Sequence, residues 1–199
     1  TYLVDGEVYL EEEYKYEAQI ILPDDPEKVG YSFQGWVNLP ATMPANDLVV
    51  EAEFDLIEYS ITYVLNEGSF AVPQRESYTI ENEFTIANPT REYHVFLGWT
   101  FEGQSEPVKN LKINRGTYGD LVLTAHWEEI VYEIIYIDGS NQLFLEPNFY
   151  SPVSGADLPE PSKIGQTFEG WFADSEFSGE AIEEILPGET GDRIFFAKF

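Results

Sequence analysis

The sequence predicts a β-rich α+β protein built from three tandem copies of one small module. The first observation is a Phe-x-Gly-Trp motif that occurs three times, in SFQGW, VFLGW and TFEGW. The second is a closing run in each copy, such as LVVEAEF, whose period-two alternation is typical of a strand with one buried face. The third is a single stretch with helical spacing. The 199 residues are 43% apolar, which is enough to form hydrophobic cores.

Other residues recur at fixed distances from the phenylalanine of the motif. In every copy a proline lies seven residues before it, and a lysine or arginine lies five residues before it. A tyrosine from a strand-like opening run, such as YSITYVLNEG, precedes it by 31 to 33 residues. A fixed pattern at this period marks an array of repeats. The predicted modules span residues 1–54, 55–129 and 130–199.

Each module reads as a strand, a turn, a second strand, a Pro-rich connector, the motif, a variable excursion and the closing strand. The excursion between the motif Trp and the Ala of the closing strand spans 16 residues in the first module and 26 in the others. The first module therefore lacks a loop or short helix, and its first strand looks clipped. In EAIEEILPG the residues Ala181, Ile182, Ile185 and Leu186 have helical spacing, which predicts one short helix against the third sheet.

The motif itself allows two interpretations, a core fastener or an exposed platform on which a sugar stacks. Residues three apart in a regular strand point to opposite faces, so a bulge at or beside Gly35 is needed to bring both rings to one side. Small modules without disulfides need large buried aromatic side chains, which favours the core interpretation. The predicted core residues are Phe33, Gly35, Trp36, Phe96, Gly98, Trp99, Phe168, Gly170 and Trp171.

The chain is strongly acidic, with 37 Asp and Glu against 10 Lys and Arg and a net charge of −27. The three modules carry 12, 12 and 13 acidic residues, so the charge is spread evenly. This balance argues against nucleic acid and anionic membranes as partners. No stretch reaches the roughly 18 consecutive apolar residues of a membrane span, so we expect no membrane insertion. Because the chain begins at Thr1, we expect a mature or excised piece.

No pattern of a catalytic or metal site is present. Cysteine is absent, which excludes disulfides and thiolate ligands. The two histidines are His94 and His126, and the second is expected to be an exposed strand residue. Acidic turns near Asp5 and Asp24 keep calcium binding as an alternative, although the ligand spacing of an EF-hand is missing. We therefore predict no catalytic residue, no metal and no cofactor.

The combined pattern resembles the Listeria-Bacteroides repeat, also called the internalin B-type repeat. The resemblance rests on the Tyr-rich first strand, the Asp/Asn-Gly turn, the segment Pro-x-Lys/Arg-x-Gly-Tyr-x-Phe-x-Gly-Trp and the closing Ala-x-Trp/Phe, and it covers nearly the whole chain. Tyr93-His94 and Gly165-Gln166 replace the usual Gly-Tyr. The resemblance implies a β-grasp-like module, a curved sheet around a short helix. It also implies use in surface proteins of Gram-positive and gut bacteria, and it supplies no catalytic residues.

The leading hypothesis is therefore a non-enzymatic, extracellular repeat segment at the bacterial cell surface. It would act as a monomeric spacer or stalk and contribute weak adhesion, and repulsion between its acidic modules would favour an extended arm. The alternative is a module that binds a carbohydrate or a host-surface protein through loop aromatics such as Phe101, Phe172 and Phe177. A secreted hydrolase is a more distant third hypothesis. We expect function to lie in the excursions after Trp99 and Trp171.

Overall fold

The computed structural model describes residues 1–199 and contains eighteen β-strands and no helix. Most strands are short, and each copy of the motif contributes its own set. The strands are β1 Tyr2–Val4, β2 Glu7–Leu10, β3 Tyr31–Trp36, β4 Val50–Leu56, β5 Tyr59–Val64, β6 Ser77–Tyr78, β7 Phe84–Thr85, β8 His94–Phe101, β9 Gln104–Val108, β10 Lys112–Ile113, β11 Leu121–Glu129, β12 Tyr132–Asp138, β13 Asn141–Leu143, β14 Phe149–Tyr150, β15 Ala156–Asp157, β16 Gly170–Phe172, β17 Glu184–Ile185 and β18 Arg193–Lys198.

These strands form three larger sheets and two short ladders. The strand orders are β2-β1-β4-β3, β6-β5-β11-β8-β9 and β13-β12-β18-β16, and β14 also pairs with β12. In every sheet the opening strand lies next to the closing strand and runs parallel to it. A parallel pair requires a long crossover connection. Here the connection contains the Pro-rich connector, the motif strand and the excursion.

The chain divides into two compact units, and the division passes through the second copy of the motif. The first unit contains the first sheet, and the second unit contains the third sheet. The first unit comprises Thr1–Val64, Val72–Ala87 and Trp99–Thr124, and the second comprises Leu65–Ala71, Asn88–Gly98 and Ala125–Phe199. The chain contains no helix that could span a membrane.

The helix expected after Trp171 is absent, so the predicted α+β class is wrong and the protein is all-β. The excursion instead forms β17, which pairs antiparallel with β15, and β10 pairs with β7 in the same way. The amide of Ile182 donates to the carbonyl of Trp171 at 2.8 Å. These pairings use backbone N–H and C=O groups that would form intrahelical hydrogen bonds in a helix. In addition, a helix this short has little stability of its own in water. The helix of the expected β-grasp-like module is therefore missing from all three copies.

The motif glycine lies beside a β-bulge, as strand parity predicted. In the first copy Phe33 pairs with Phe54 and Gly35 pairs with Glu53, which leaves Gln34 as the extra residue. A bulge shifts the alternation of side chains by one position. The rings on either side of it can then lie on the same face of the strand.

The same backbone conformation recurs in all three copies. Gly35, Gly98 and Gly170 have φ angles of 144°, 144° and 138°, a region that residues with side chains rarely adopt. As a result, the rings of Phe33 and Trp36 meet edge to face with centroids 5.4 Å apart. The corresponding rings of the third copy are 5.3 Å apart.

The tryptophan of each motif packs on a tyrosine of the opening strand. Trp99 and Trp171 are 0% and 1% exposed. The contact joins residues that are 34 to 36 positions apart in sequence, so it ties the motif strand, in the middle of the crossover, to the opening strand. The centroid distances are 4.8 Å for Tyr2 and Trp36, 5.8 Å for Tyr63 and Trp99, and 4.8 Å for Tyr136 and Trp171.

An alanine of the closing strand lies directly opposite the tryptophan. Ala52 pairs with Trp36, and Ala197 pairs with Trp171. Residues opposite each other in neighbouring strands have close Cβ atoms. A methyl group at this position leaves room for the indole ring, which accounts for the recurrent Ala-x-aromatic ending of the closing runs.

The first copy has a smaller buried core than the third. Its buried cluster consists of Tyr2, Ile20 and Val50, whereas the cluster of the third copy has seven buried members. The indole nitrogen of Trp36 is also buried without a hydrogen bond, which costs roughly 1–3 kcal/mol. The interior of the first copy therefore offers fewer buried contacts than that of the third.

Replacing Trp171 by alanine should lower the free energy of unfolding of the third copy by about 3–5 kcal/mol. The variant loses the ring packing and the hydrogen bond from Trp171 Nε1 to the carbonyl of Pro159, which is 2.7 Å long. Hydrogen exchange should show β12 and β18 losing protection while β1 and β4 keep theirs. The matched control is Phe144→Ala, at a side chain that is 92% exposed, with an expected change within about 0.5 kcal/mol. Unchanged protection of β12 and β18 in Trp171→Ala would contradict the core role.

The third copy should lose stability at alkaline pH through Tyr136. Burial, and to a smaller degree the charge of Glu146, raises the pKa of Tyr136 to about 12, whereas an unfolded tyrosine has a pKa of about 10. The unfolded chain therefore loses this proton first as the pH rises. The free energy of unfolding should fall by about 2–3 kcal/mol between about pH 10 and about pH 12.

Urea unfolding across this pH range, followed by the methyl NMR signals of Ile134 and Ile185, measures the effect. Tyr136→Phe should flatten the pH dependence of the third copy. Tyr16→Phe, at a side chain that is 65% exposed, serves as the control and should leave the pH dependence as it is in the unmodified chain. Equal slopes for Tyr136→Phe and the unmodified chain would refute the assignment.

Candidate functional site

The nine predicted motif residues contribute to three separate sheets rather than to one common site. Trp99, Trp171 and Gly98 are buried, and the other six are partly buried. None of the nine is fully exposed, so a sugar-stacking platform has no flat, open ring here. A structural role for the motif remains our proposal, and this burial supports it.

The basic residue five positions before each motif phenylalanine binds the acidic turn of its own copy. Lys28 Nζ lies 2.8 Å from Asp5 Oδ1, and Lys163 Nζ lies 2.7 Å from Asp138 Oδ2. Arg91 forms the equivalent ion pair with Glu67. Hydrogen bonding to Asp5 raises the pKa of Lys28. These exposed pairs contribute about 0–1 kcal/mol each, and they link the acidic turn to the first residue of a second turn.

That turn, which we call the docking turn, has one geometry in all three copies. The docking turns are residues 28–31, 91–94 and 163–166. In each, the amide of the fourth residue donates to the carbonyl of the first, at 3.0, 3.2 and 3.1 Å. The third residue has a positive φ, 80° at Gly30, 56° at Tyr93 and 76° at Gly165. Tyr93 thus holds a conformation that glycine adopts more readily.

Two-residue linkers connect consecutive copies, and each linker is bonded back to a docking turn. Residues 57–58 separate β4 from β5, and residues 130–131 separate β11 from β12. The amide of Ile57 donates to the carbonyl of Gly30 at 3.0 Å. The amide of Ile130 donates to the carbonyl of Tyr93 at 2.8 Å. Both linkers are therefore short and tethered at equivalent positions.

The first docking turn packs against the second copy. A Cβ on Gly30 would lie 2.6 Å from Ile80 Cδ1, so the isoleucine fills the space beside this glycine. The hydroxyl of Tyr31 donates to Glu81 Oε1 at 2.8 Å. This hydrogen bond raises the pKa of Tyr31. We call this contact the first junction.

The second docking turn meets the third copy at the corresponding place. Ile80 and Pro152 correspond, because each carbonyl accepts a hydrogen bond from a glycine amide of the excursion, Gly116 at 2.8 Å and Gly188 at 2.7 Å. The Tyr93 hydroxyl lies 3.7 Å from where a Cβ on Gly188 would stand. Pro152 is fully buried. This contact is the second junction.

The surface that receives a docking turn, which we call the receiving loop, combines a segment that lies before the motif with one glycine of the excursion. In the second copy it consists of Ile80, Glu81 and Gly116, and in the third of Pro152, Val153 and Gly188. The first copy has an excursion ten residues shorter, as the 16-residue and 26-residue spacings show. The excursion thus contributes one residue to each receiving loop, and the other two residues lie before the motif, outside the excursions in which we expected function.

Of the loop aromatics proposed for ligand binding, only Phe177 is exposed. Phe172 is only 7% exposed, and Phe177, which is 37% exposed, meets it edge to face at 5.5 Å. Phe101 is half-buried. His126, expected on the surface, is half-buried as well. No three His, Asp or Glu side chains lie close enough together to hold a metal ion.

Sequence reasoning missed the junctions. The Gly-Tyr of the first docking turn changes to Tyr93-His94 and then to Gly165-Gln166, and these changes read as departures from a pattern. The signal that could have found them is the positive-φ position itself, where a large residue such as Tyr93 needs a compensating contact.

The comparison with known families identifies three copies of one repeat in the chain. The sequence profile of the Listeria-Bacteroides repeat domain matches residues 1–47, 59–126 and 132–198. No solved structure matches this chain.

Two proteins of Evansella cellulosilytica are similar over nearly the whole chain. One, named "Putative Gly-rich membrane protein", is 27% identical over 205 residues, covering 98% of this chain and 23% of that protein. The other, named "Putative membrane protein", is 27% identical over 201 residues, covering 93% of this chain and 29% of that protein. The chain thus spans about a quarter of the length of these relatives. Because the profile matches three times over most of its length, the chain belongs to the Listeria-Bacteroides repeat family and contains three tandem copies of the repeat.

Proposed function

We propose that this chain is a non-enzymatic spacer segment of a bacterial surface protein, carried outside the cell. Its repeats hold a displayed domain away from the cell, and adhesion is a weaker second contribution. The observation that carries the proposal is the form of the linkers. Both are two residues long, and both are hydrogen-bonded to the preceding docking turn.

A spacer has to resist bending at the points where its modules meet. Long Gly/Ser-rich linkers behave as flexible coils, and they would let each repeat move independently. Here the amide of Ile57 is bonded to Gly30, and Ile80 packs on the same glycine. The junction thus combines a backbone bond with apolar packing, which restricts rotation between the repeats that it joins.

Charge and family membership support the location and the class of partner. A net charge of −27 keeps a surface segment well solvated and repels nucleic acid and anionic lipid. The family is a repeat type of surface proteins, and the two similar proteins bear membrane-protein names. We therefore propose a position at the cell envelope, as a monomer without cofactor.

Inserting Gly-Ser-Gly-Ser between Leu56 and Ile57 should uncouple the first repeat from the second. In the unmodified chain, ¹⁵N relaxation should give these two repeats one rotational correlation time. With the insertion, the first repeat should tumble faster, because the amide of Ile57 no longer reaches Gly30. The same insertion between Glu102 and Gly103, in an exposed hairpin turn, is the control and should leave the common correlation time unchanged. Independent tumbling of the first repeat in the unmodified chain would rule out a stiff spacer.

An exposed phenylalanine beside a cleft favours the contribution from adhesion. Phe144 is 92% exposed, and it stands at a cleft of about 250 Å³ lined also by Tyr136, Leu143 and Leu145. Its lining also includes Glu133, Gln142, Glu146 and Asn148, and exposed aromatic rings with polar neighbours are common in recognition surfaces. The partner class is a glycan or a host-surface protein.

A screen of glycans and extracellular-matrix proteins with the full chain tests this contribution. Any true ligand of the cleft should bind Phe144→Ala at least about tenfold more weakly, since an aromatic anchor is commonly worth 1.4 kcal/mol or more. Val131→Ala, at another exposed apolar residue, is the matched control. If no compound or protein binds, or if Phe144→Ala binds as well as the control, adhesion through this cleft is refuted and the spacer role stands alone.

A further inference from the structure

The third docking turn has the geometry of the two that form junctions. Its closing hydrogen bond, from the amide of Gln166 to the carbonyl of Lys163, is 3.1 Å long. Gly165 has a φ of 76°, close to the 80° of Gly30. Lys163 is fixed to Asp138 as Lys28 is fixed to Asp5. The backbone is thus already held in the conformation that the first junction uses.

This third turn is exposed, in contrast to the first. No atom lies within 4 Å of the place that a Cβ on Gly165 would take, whereas Gly30 is buried beside Ile80. Ile164 is 104% exposed, and Val29 at the same place in the first turn is 62% exposed. A fully exposed isoleucine next to a preformed turn leaves apolar surface that a contact would cover.

The two existing junctions pair a small residue with a large one, in opposite directions. At the first, the docking turn contributes Gly30 and the receiving loop contributes the bulky Ile80. At the second, the docking turn contributes the bulky Tyr93, and its hydroxyl lies over Gly188. Nothing lies within 4 Å of a Cβ on Gly116, the first junction's counterpart of Gly188. The two junctions therefore make their small-to-large contact at different positions of the receiving loop, that of Ile80 at the first and that of Gly188 at the second.

We propose that the turn 163–166 is a docking surface for a further repeat of the second repeat's type, one whose receiving loop carries a bulky residue at the position of Ile80. Gly165 provides the small side of the size match, as Gly30 does. Gln166 carries an amide donor where Tyr31 carries the hydroxyl that binds Glu81. The inference rests on the junction geometry and holds whether or not the chain acts as a spacer.

The test extends the full chain by one repeat. Residues 1–199 followed by residues 55–129 place the natural sequence after Phe54 behind Phe199, so the linker is unchanged. Amide exchange at residues 163–166 should become at least about tenfold slower than in the 199-residue chain. NMR should also show a nuclear Overhauser contact between Gly165 Hα and the Ile80 methyls of the appended repeat.

A second extended chain tests the size match. Residues 1–199 followed by residues 128–199 present the Pro152 and Gly188 receiving loop instead, and they should slow exchange at residues 163–166 by less than the first extension does. Equal slowing in the two extended chains overturns the size match. Unchanged exchange in both chains, with the appended repeats folded by their own protected strands, overturns the docking surface.

Gly165→Ala separates docking from local strain. In the 199-residue chain the new methyl meets no neighbour, so only the positive φ opposes it. In the chain extended by residues 55–129, the methyl would meet Ile80 as a Cβ on Gly30 would, and fast exchange should return at Ile164 and Gln166. Slow exchange retained in the extended variant contradicts the proposal. Concentration-dependent protection of the 199-residue chain would show that a second copy covers the turn, which also contradicts it.

Discussion

The contact between the motif tryptophan and the opening-strand tyrosine constrains everything else in a repeat. The two rings meet although more than thirty residues separate them in sequence, and no disulfide or helix assists them. The glycine bulge exists because the phenylalanine and the tryptophan must share a face. The alanine of the closing strand exists because an indole lies opposite it. Each large buried ring is worth about 4–6 kcal/mol as an upper estimate, a large part of the total stability of a small domain.

How much the sequence could predict depends on the range of each interaction. The bulge at Gly35 follows from strand parity, a local property, and was predictable. The helix at 181–186 was not correctly predicted, because its spacing also suits a segment whose Ile182 and Ile185 pack on a sheet, and the deciding backbone bond comes from Trp171. The parallel pairing of opening and closing strands likewise depends on long-range contacts that no local pattern encodes. Core positions recur in every copy and can therefore be recognised from the sequence. Junction positions vary between copies and cannot.

The excess of acidic over basic residues complements the specific contacts at the junctions. The basic residues at the docking turns are held by the acidic turns of their own repeats, as Lys28 is by Asp5. With 37 acidic residues against 10 basic ones, most carboxylates remain on the surface without a basic partner. Repulsion between them discourages association of repeats that are not joined by a specific contact. The surface charge and the junctions therefore act together, one against unspecific contacts and the other for specific ones.

The residues that recur in every copy and the residues that vary between copies serve different contacts. If the repeats were interchangeable units, the junction residues would recur as the motif residues do. Instead the positive-φ position changes from Gly30 to Tyr93, and the receiving loop changes with it, from Ile80 to a site where Tyr93 lies over Gly188. A tyrosine in the first docking turn would meet Ile80, and a glycine in the second would leave the space above Gly188 unfilled, which forfeits packing. The motif residues are thus common to the repeats, whereas the junction residues differ, and under the proposal above this difference decides which repeat can follow which.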